Sequence, residues 1–392
     1  MRIVGVIAEY NPFHNGHAYH LQQAREASKA DYVVVVMSSC FTQRGDAALL
    51  SPADRARMAL SCGADAVFAL PACWAVRDAE HFALGGVALL NSLGVDAISF
   101  GAETADAARL SACARLLEAP DAPLSDALRR RMSEGLPYPA ALSAAMAETH
   151  PELDDLLTSP NNTLAVCYLR AVLRLHTSME VFPIPRHSDY HATGLSDQLP
   201  SATALRNAAC QGNWLGCQSS IPPKAYAVLQ DAALSGHLQR PSALDQALLY
   251  RLRSMTPAEW SALPDLSEGI EDRLLAAARQ HASREELLLA AKTRRYPYAR
   301  LSRLCTHALL GITQTQLDQE PLPTSAWLLG FRQEARPLLS QLSKNGFPII
   351  GKAADHTANE AWFRTELAAY DLWALGCGLP AGLGYTQGVV RI

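Results

Sequence analysis

What the 392-residue chain lacks narrows its class before any motif is considered. No apolar run approaches the ~20 residues a membrane-spanning helix needs; the longest, such as Tyr32–Met37, have the length of a strand. Neither sign of charge prevails. Lys and Arg number 34 against 38 Asp and Glu, a net of −4, so the surface is not basic throughout and any nucleic-acid contact must come from a local patch. The nine cysteines form no C-x-x-C and no Cys/His cluster of zinc-finger spacing, which argues against a disulfide framework and a structural zinc site. Buried thiols in a reduced compartment are expected. The first residues, Met1-Arg2-Ile3-Val4-Gly5-Val6, run at once into Glu9, Asn11 and Pro12, leaving no signal-peptide core, so a cytosolic protein is expected. Charged residues are only 18%, but hydrophobic residues reach 49%, a packed globular composition rather than a disordered one. At about 150 residues per domain, the length predicts two or three domains.

The first hundred residues alternate short apolar runs with amphipathic stretches. Strands are expected at 2–8, 32–37, 64–70 and 97–100, and helices at 16–28, 51–62 and 80–93. Strands apolar on both faces and separated by helices predict a parallel sheet covered on both sides, a Rossmann-like α/β domain. Residues 104–175 read as helical, and Val181–Ile184 as one more strand, the last of the sheet. Beyond about residue 220 strand signals nearly vanish. The expected organisation is an α/β domain over 1–215 and a mostly α-helical domain over 216–392, with no internal repeat.

A parallel sheet sets its ligand site at the carboxyl ends of its strands. The first such turn, Glu9-Tyr10-Asn11-Pro12-Phe13-His14-Asn15-Gly16-His17, carries neither a Walker pattern nor G-x-G-x-x-G. Instead two histidines three residues apart open a helix, where free backbone N–H groups and the helix dipole already favour an anion. Both imidazoles can point at one phosphate. Gly16 is expected to leave room for a base or sugar against the backbone. Two donors of this kind suit attack at an α-phosphorus, each being worth about 3–4 kcal/mol to the transition state. His14 and His17 could instead merely cap and pack the helix.

A second segment, Ser201-Ala202-Thr203-Ala204-Leu205-Arg206, offers hydroxyls, another helix N-terminus and a guanidinium, groups suited to β- and γ-phosphates. Capping alone would also explain Ser201 and Thr203. Asp54, Arg55 and Arg57 read as a solvated helix face. In the helical part, Lys292, Arg294, Arg295, Arg300 and Arg303 fall close together with no acidic residue among them and with Tyr296 and Tyr298 interleaved. Such a patch offers phosphate contacts and flat faces for an unstacked base, although charge runs are commonly just solvated surface.

These residues resemble the H-x-G-H nucleotidyltransferase superfamily, whose second signature is a Ser-x-Thr-x-x-Arg segment. The likeness is closer to the bacterial tRNA(Met) cytidine acetate ligase family. It is carried by Val6–His17, Gln43-Arg44-Gly45, Phe100-Gly101-Ala102-Glu103, Ser159-Pro160-Asn161-Asn162, Arg186 with Tyr190-His191, and Ser201–Arg206, and extends to Arg295-Tyr296 and Leu329-Gly330-Phe331-Arg332. The resemblance implies activation of acetate by ATP to acetyl-adenylate and acetylation of N4 of the wobble cytidine of elongator methionine tRNA. It implies catalytic roles for His14, His17 and Arg206. It implies an ATP site of Ile7, Ala8, Glu9, Tyr10, Asn11, Pro12, Phe13, His14, Asn15, Gly16, His17, His20, Gly101, Asn161, Asn162, Arg186 and His187, with Ser201 and Thr203 on the phosphates. Lys292, Arg294, Arg295, Arg300 and Arg303 would then meet tRNA. Magnesium is expected to accompany ATP, with no residue assigned to a metal and neither membrane nor DNA as a partner. The alternative is a nucleotidyltransferase joining a nucleoside monophosphate to a small phosphorylated metabolite; a non-catalytic nucleotide-dependent RNA-binding factor is a third reading. One departure stands out. Family members carry Ser-Gly-Asn-Phe where this chain reads Ser38-Ser39-Cys40-Phe41, and a glycine there would permit a positive φ that serine tolerates poorly.

Overall fold

The computed structural model describes residues 1–186, 202–267, 269–356 and 360–392; His187, Tyr190, His191 and Ser201 lie outside the described residues. Strands β1 (Ile3–Ala8), β2 (Tyr32–Ser38), β3 (Ala66–Leu70), β4 (Ala97–Ala102) and β5 (Glu180–Pro185) pair in parallel in the order β5-β4-β1-β2-β3. Val33–Met37 and Val67–Leu70 are fully buried, as expected of strands covered on both faces. Helix α1 (Asn15–Ser28) follows β1, and helix α2 (Pro52–Ser61) follows β2. The chain leaves β1 toward β2 on one side, while β4 flanks it on the other. The carboxyl ends of β1 and β4 therefore form the point where the winding reverses, the crevice in which open α/β sheets bind ligands.

Val181–Ile184 does form a strand, but it is not the last of the sheet. β6 (Ala326–Phe331) adds to β3 antiparallel, and β7 (Ile349–Ile350) and β8 (Val390–Arg391) pair with β6 in parallel. The segment Ala326-Trp327-Leu328-Leu329-Gly330-Phe331 is buried throughout, so it shows no alternation, and periodicity cannot separate it from a helical turn.

One hydrophobic core takes in the sheet together with residues as far apart as Ala225, Leu244, Ile312, Trp362 and Trp373. A second core is confined to positions 248–308, from Leu248 to Ala308. The C-terminal part is mostly helical, but only its middle forms a separate helical unit. Helix Ala361–Gly376 returns to the first core, where the Trp373 Nε1–H donates to the Ala48 carbonyl at 2.7 Å. No helix among the described residues is long and apolar enough to cross a membrane.

Candidate active site

The turn from β1 to α1 lies at the reversal point. His14 is the N-cap of α1, and its Nδ1 accepts from the Gly16 amide at 3.1 Å. His17 Nδ1 in turn accepts from the His14 amide at 3.2 Å. This is a capping box built from two imidazoles. It settles the tautomers: with both Nδ1 atoms accepting, each neutral ring carries its proton on Nε2 and can only donate from that edge. The rings stack with centroids 3.7 Å apart, and the Tyr10 and Phe13 rings flank His17 at 4.8 and 5.5 Å. Burial, and then the Arg186 charge, push His14 down to about 3. Burial and His14 lower His17 as well. Both rings therefore remain neutral donors at neutral pH. Capping and pointing at an anion are not rival roles here, because one edge of each ring does the first and leaves the other for the second.

A Cβ on Gly16 would lie 3.0 Å from His14 Cε1, so the glycine makes room for the imidazole.

A cavity of about 770 Å³ opens over this turn, within the range that holds drug-sized and cofactor-sized ligands. It is lined by Ile7, Ala8, Glu9, Tyr10, Asn11, His14, Asn15, Gly16, His17 and His20, by Gly101, Asn161 and Arg186, and by Thr203 and Arg206. Pro12, Phe13 and Asn162 are not in its wall. Phe13 is fully buried beneath His17, and Asn162 turns inward, its Oδ1 accepting from the Thr104 amide at 2.9 Å. Asn161 reaches the cavity from the start of helix Pro160–Arg174, where the Glu103 carboxylate collects Ser159 Oγ at 2.9 Å, Asn161 Nδ2 at 2.5 Å and the Asn162 amide at 2.8 Å. The two short motifs around Glu103 and Asn161 are thus one structural unit. Arg186 crosses Gly101 at the ends of β5 and β4; a Cβ on Gly101 would approach its Cγ to 3.1 Å. Arg206 is tied to the first turn, donating from Nη1 to the Asn11 carbonyl at 2.7 Å and from Nη2 to Thr203 Oγ1 at 2.9 Å. His20 Nε2 lies 3.2 Å from Ser99 Oγ.

Phe82, Leu164, Tyr168, Thr42 and Asp46 had no motif to mark them, whereas Phe100, Gln43 and Arg44 lie in motifs of the family likeness. Phe82, Phe100, Leu164 and Tyr168 supply an apolar side, and Thr42, Gln43, Arg44 and Asp46 a polar one. Leu164 and Tyr168 are one helical turn apart, a spacing indistinguishable from ordinary core. The Gln43–Asp46 loop is held by the helical unit. Arg284 donates to Asp46 Oδ1 at 2.7 Å and the Gly45 carbonyl at 2.9 Å, Ser302 Oγ to the Arg44 carbonyl at 2.5 Å, and Thr306 Oγ1 to the Gly45 carbonyl at 2.6 Å. Gly45 has φ +85°, and a Cβ there would meet the Ser302 carbonyl oxygen at 2.9 Å. Only glycine satisfies both demands.

Arg55 overturns its expected place on a solvated face. It is fully buried and donates to the carbonyls of Glu9, Ser38 and Leu50 at 2.7, 2.8 and 3.2 Å, binding the ends of β1 and β2 together. Capping explains Asp54, which receives Ser51 Oγ at 2.7 Å, and Arg57 stays exposed beside it. Ser39 is not in the left-handed region, so the serine replacing the family's glycine is unstrained. Ser39 and Cys40 are fully buried and stand behind the cavity rather than in its wall.

The basic cluster divides. Lys292, Arg294 and Arg295 are exposed, whereas Arg300 is half-buried and donates to the Asp265 carbonyl at 2.7 Å, and Arg303 is half-buried too. Tyr296 is buried with the Arg295 guanidinium 5.5 Å from its ring centre, so its face is not open to a base.

A switch-point cavity with two neutral imidazole donors at a helix N-terminus defines the class, and the chain belongs to the HIGH Nucleotidyl Transferase family, whose model matches residues 1–378. Relatives narrow this to the tRNA(Met) cytidine acetate ligases. The protein of that name from Acetivibrio thermocellus is 33% identical over 415 residues covering the whole of both chains, and that from Latilactobacillus sakei subsp. sakei 37% identical over 90% of this chain and 88% of its own. The crystal structure of Thermotoga maritima TmcAL bound with alpha-thio ATP superposes with a TM-score of 0.90 at 26% identity over the full length of both.

Proposed function

We propose that this chain is an ATP-dependent tRNA cytidine acetate ligase, which activates acetate as acetyl-adenylate and acetylates N4 of the wobble cytidine of elongator methionine tRNA. The observation that carries this reading is the pair of stacked, neutral, Nε2–H imidazoles facing the cavity, together with relatives of that name along the whole chain. In this reading His14 and His17 donate to the α-phosphate as charge grows on its oxygens. Arg206 and Thr203 take the leaving pyrophosphate, and Gly101, Asn161 and Arg186 hold the nucleoside end. Neutral donors suit the task because they stabilise the developing charge without first releasing a proton to it. Magnesium would accompany ATP and supply charge neutralisation for the leaving pyrophosphate. Lys292, Arg294 and Arg295 are the tRNA-facing part of the helical unit.

The test is incubation with ATP, acetate and total tRNA, followed by measurement of AMP and acetylcytidine, with acetate-driven ATP–pyrophosphate exchange in parallel. AMP release matched by acetylcytidine is expected. A nucleotide-containing product with a phosphorylated metabolite, or no turnover at all, would sink the reading.

A further inference from the structure

We propose that Glu9 is the proton acceptor for the second half-reaction, taking the proton from the acceptor amine as it attacks the acyl-adenylate. This rests on the ligase reading above. An exocyclic amine of a nucleobase is a weak nucleophile, and its N–H must be lost as the C–N bond forms. The nitrogen attacks the acyl carbon, the bond from that carbon to the phosphate oxygen breaks, AMP leaves with the electron pair, and the amine proton passes to the Glu9 carboxylate and then to water.

Among the described residues, elimination by geometry leads to Glu9. His14 and His17 spend their Nδ1 lone pairs on backbone amides, so the edge each can turn to the cavity already bears a proton. His20 has its Nε2 against Ser99 Oγ, and burial lowers it to about 4. Asp46 is held by Arg284, which donates to its Oδ1 at 2.7 Å. Burial raises the Tyr10 and Tyr168 phenols, so they do not ionise near neutrality. Glu9 remains. Its Oε1 accepts from the Gln43 amide at 2.6 Å.

A carboxylate in the wall of a polyphosphate cavity repels that ligand, so Glu9 is poorly suited to hold ATP. Its surroundings instead suit a base. Burial raises its pKa, against the Gln43 amide, Arg206 and Arg44 and with Asp46, while Arg55 donates to its main-chain carbonyl. Gln43 is fixed from both sides, its Nε2 donating to the Arg77 carbonyl at 2.6 Å.

The experiment compares Glu9→Gln with wild type in three assays: acetate-driven exchange, acetyl-hydroxamate formation with hydroxylamine, and acetyl transfer to tRNA. Hydroxylamine is a strong nucleophile that needs no enzymic base. Transfer to tRNA should fall by about 100-fold or more, while exchange and hydroxamate formation fall less than about tenfold. Wild-type transfer should rise with pH to a plateau, whereas transfer by the variant should keep rising. An equal fall in all three assays, or an unchanged pH profile, would overturn the proposal in favour of a structural or ATP-holding role. If Glu9→Gln does not fold, Glu9→Asp must show the same skew in milder form, and its absence overturns the proposal equally. Wild type that neither exchanges nor forms hydroxamate would reject the ligase reading itself, a separate outcome.

Discussion

The turns after β1 and β2 solve the same topological problem in opposite ways. Each carries the chain from the carboxyl end of a buried parallel strand into a helix, and each places a basic side chain near the helix start. After β1 the basic groups are neutral imidazoles with one edge on the backbone and the other facing the cavity. After β2 the basic group is a guanidinium, fully buried, with three main-chain carbonyls around it and burial drawing its pKa down to about 10. On the proposed reading, the comparison predicts that the outward groups are replaceable for folding but not for chemistry, and that the reverse holds for Arg55.

The largest test of that contrast is Arg55→Met. It leaves the Glu9, Ser38 and Leu50 carbonyls without their donor, and a loss of about 3–5 kcal/mol is expected in urea unfolding. A loss below about 1 kcal/mol would break the comparison.

His14→Ala and His17→Ala come next. Each should lower acetate-driven exchange by a few hundredfold, about 3–4 kcal/mol in the transition state, and cost only about 1 kcal/mol of stability through the lost cap. Their lowered pKa values also give a sign. The unfolded chain binds protons on these rings near pH 6.5 whereas the folded chain does not, so they make stability fall as pH drops below about 6.5. Thermal melts from pH 7.5 to pH 5 should therefore fall less steeply in the double variant.

A smaller effect sits behind the second turn. Glu366 is fully buried, accepts from the Ala72 amide at 2.7 Å, and is raised by burial to about 7. A raised carboxyl binds protons in the folded state first, so its contribution favours folding at low pH and is lost as pH rises toward 7. Glu366→Gln should be more stable than wild type by about 3 kcal/mol at pH 8, with the gap closing by pH 5 in urea titrations. The smallest change expected is on the surface. Replacing Lys292, Arg294 and Arg295 with Gln should weaken tRNA binding by about tenfold and lower its salt dependence, with exchange intact. Equal affinity would remove the patch from the interface.

The strand–turn–helix that lines the cavity was legible because its signal is local: a strand, a turn and two histidines at helical spacing lie within fifteen residues. Arg55 was not, because an arginine in an amphipathic stretch reads the same whether its head meets water or carbonyls from elsewhere in the chain. β6 was missed because a strand buried on both faces has no period. Tyr168 and the Gln43–Asp46 wall belong to the site only through contacts between distant parts of the chain. The likeness in Leu329-Gly330-Phe331 was visible as a motif while its place in the sheet was not.

The clasp on Gly45 bears on how such a protein could be rebuilt. The helical unit at 248–308 is continuous in sequence, yet its surface is completed by four residues from near the other end of the chain. A chimera exchanging that unit with a relative's would have to import positions 43–46 as well, since Arg284, Ser302 and Thr306 are cut to that loop's carbonyls and carboxylate. The portable module is bounded by a surface in space, and it includes one wall of the cavity.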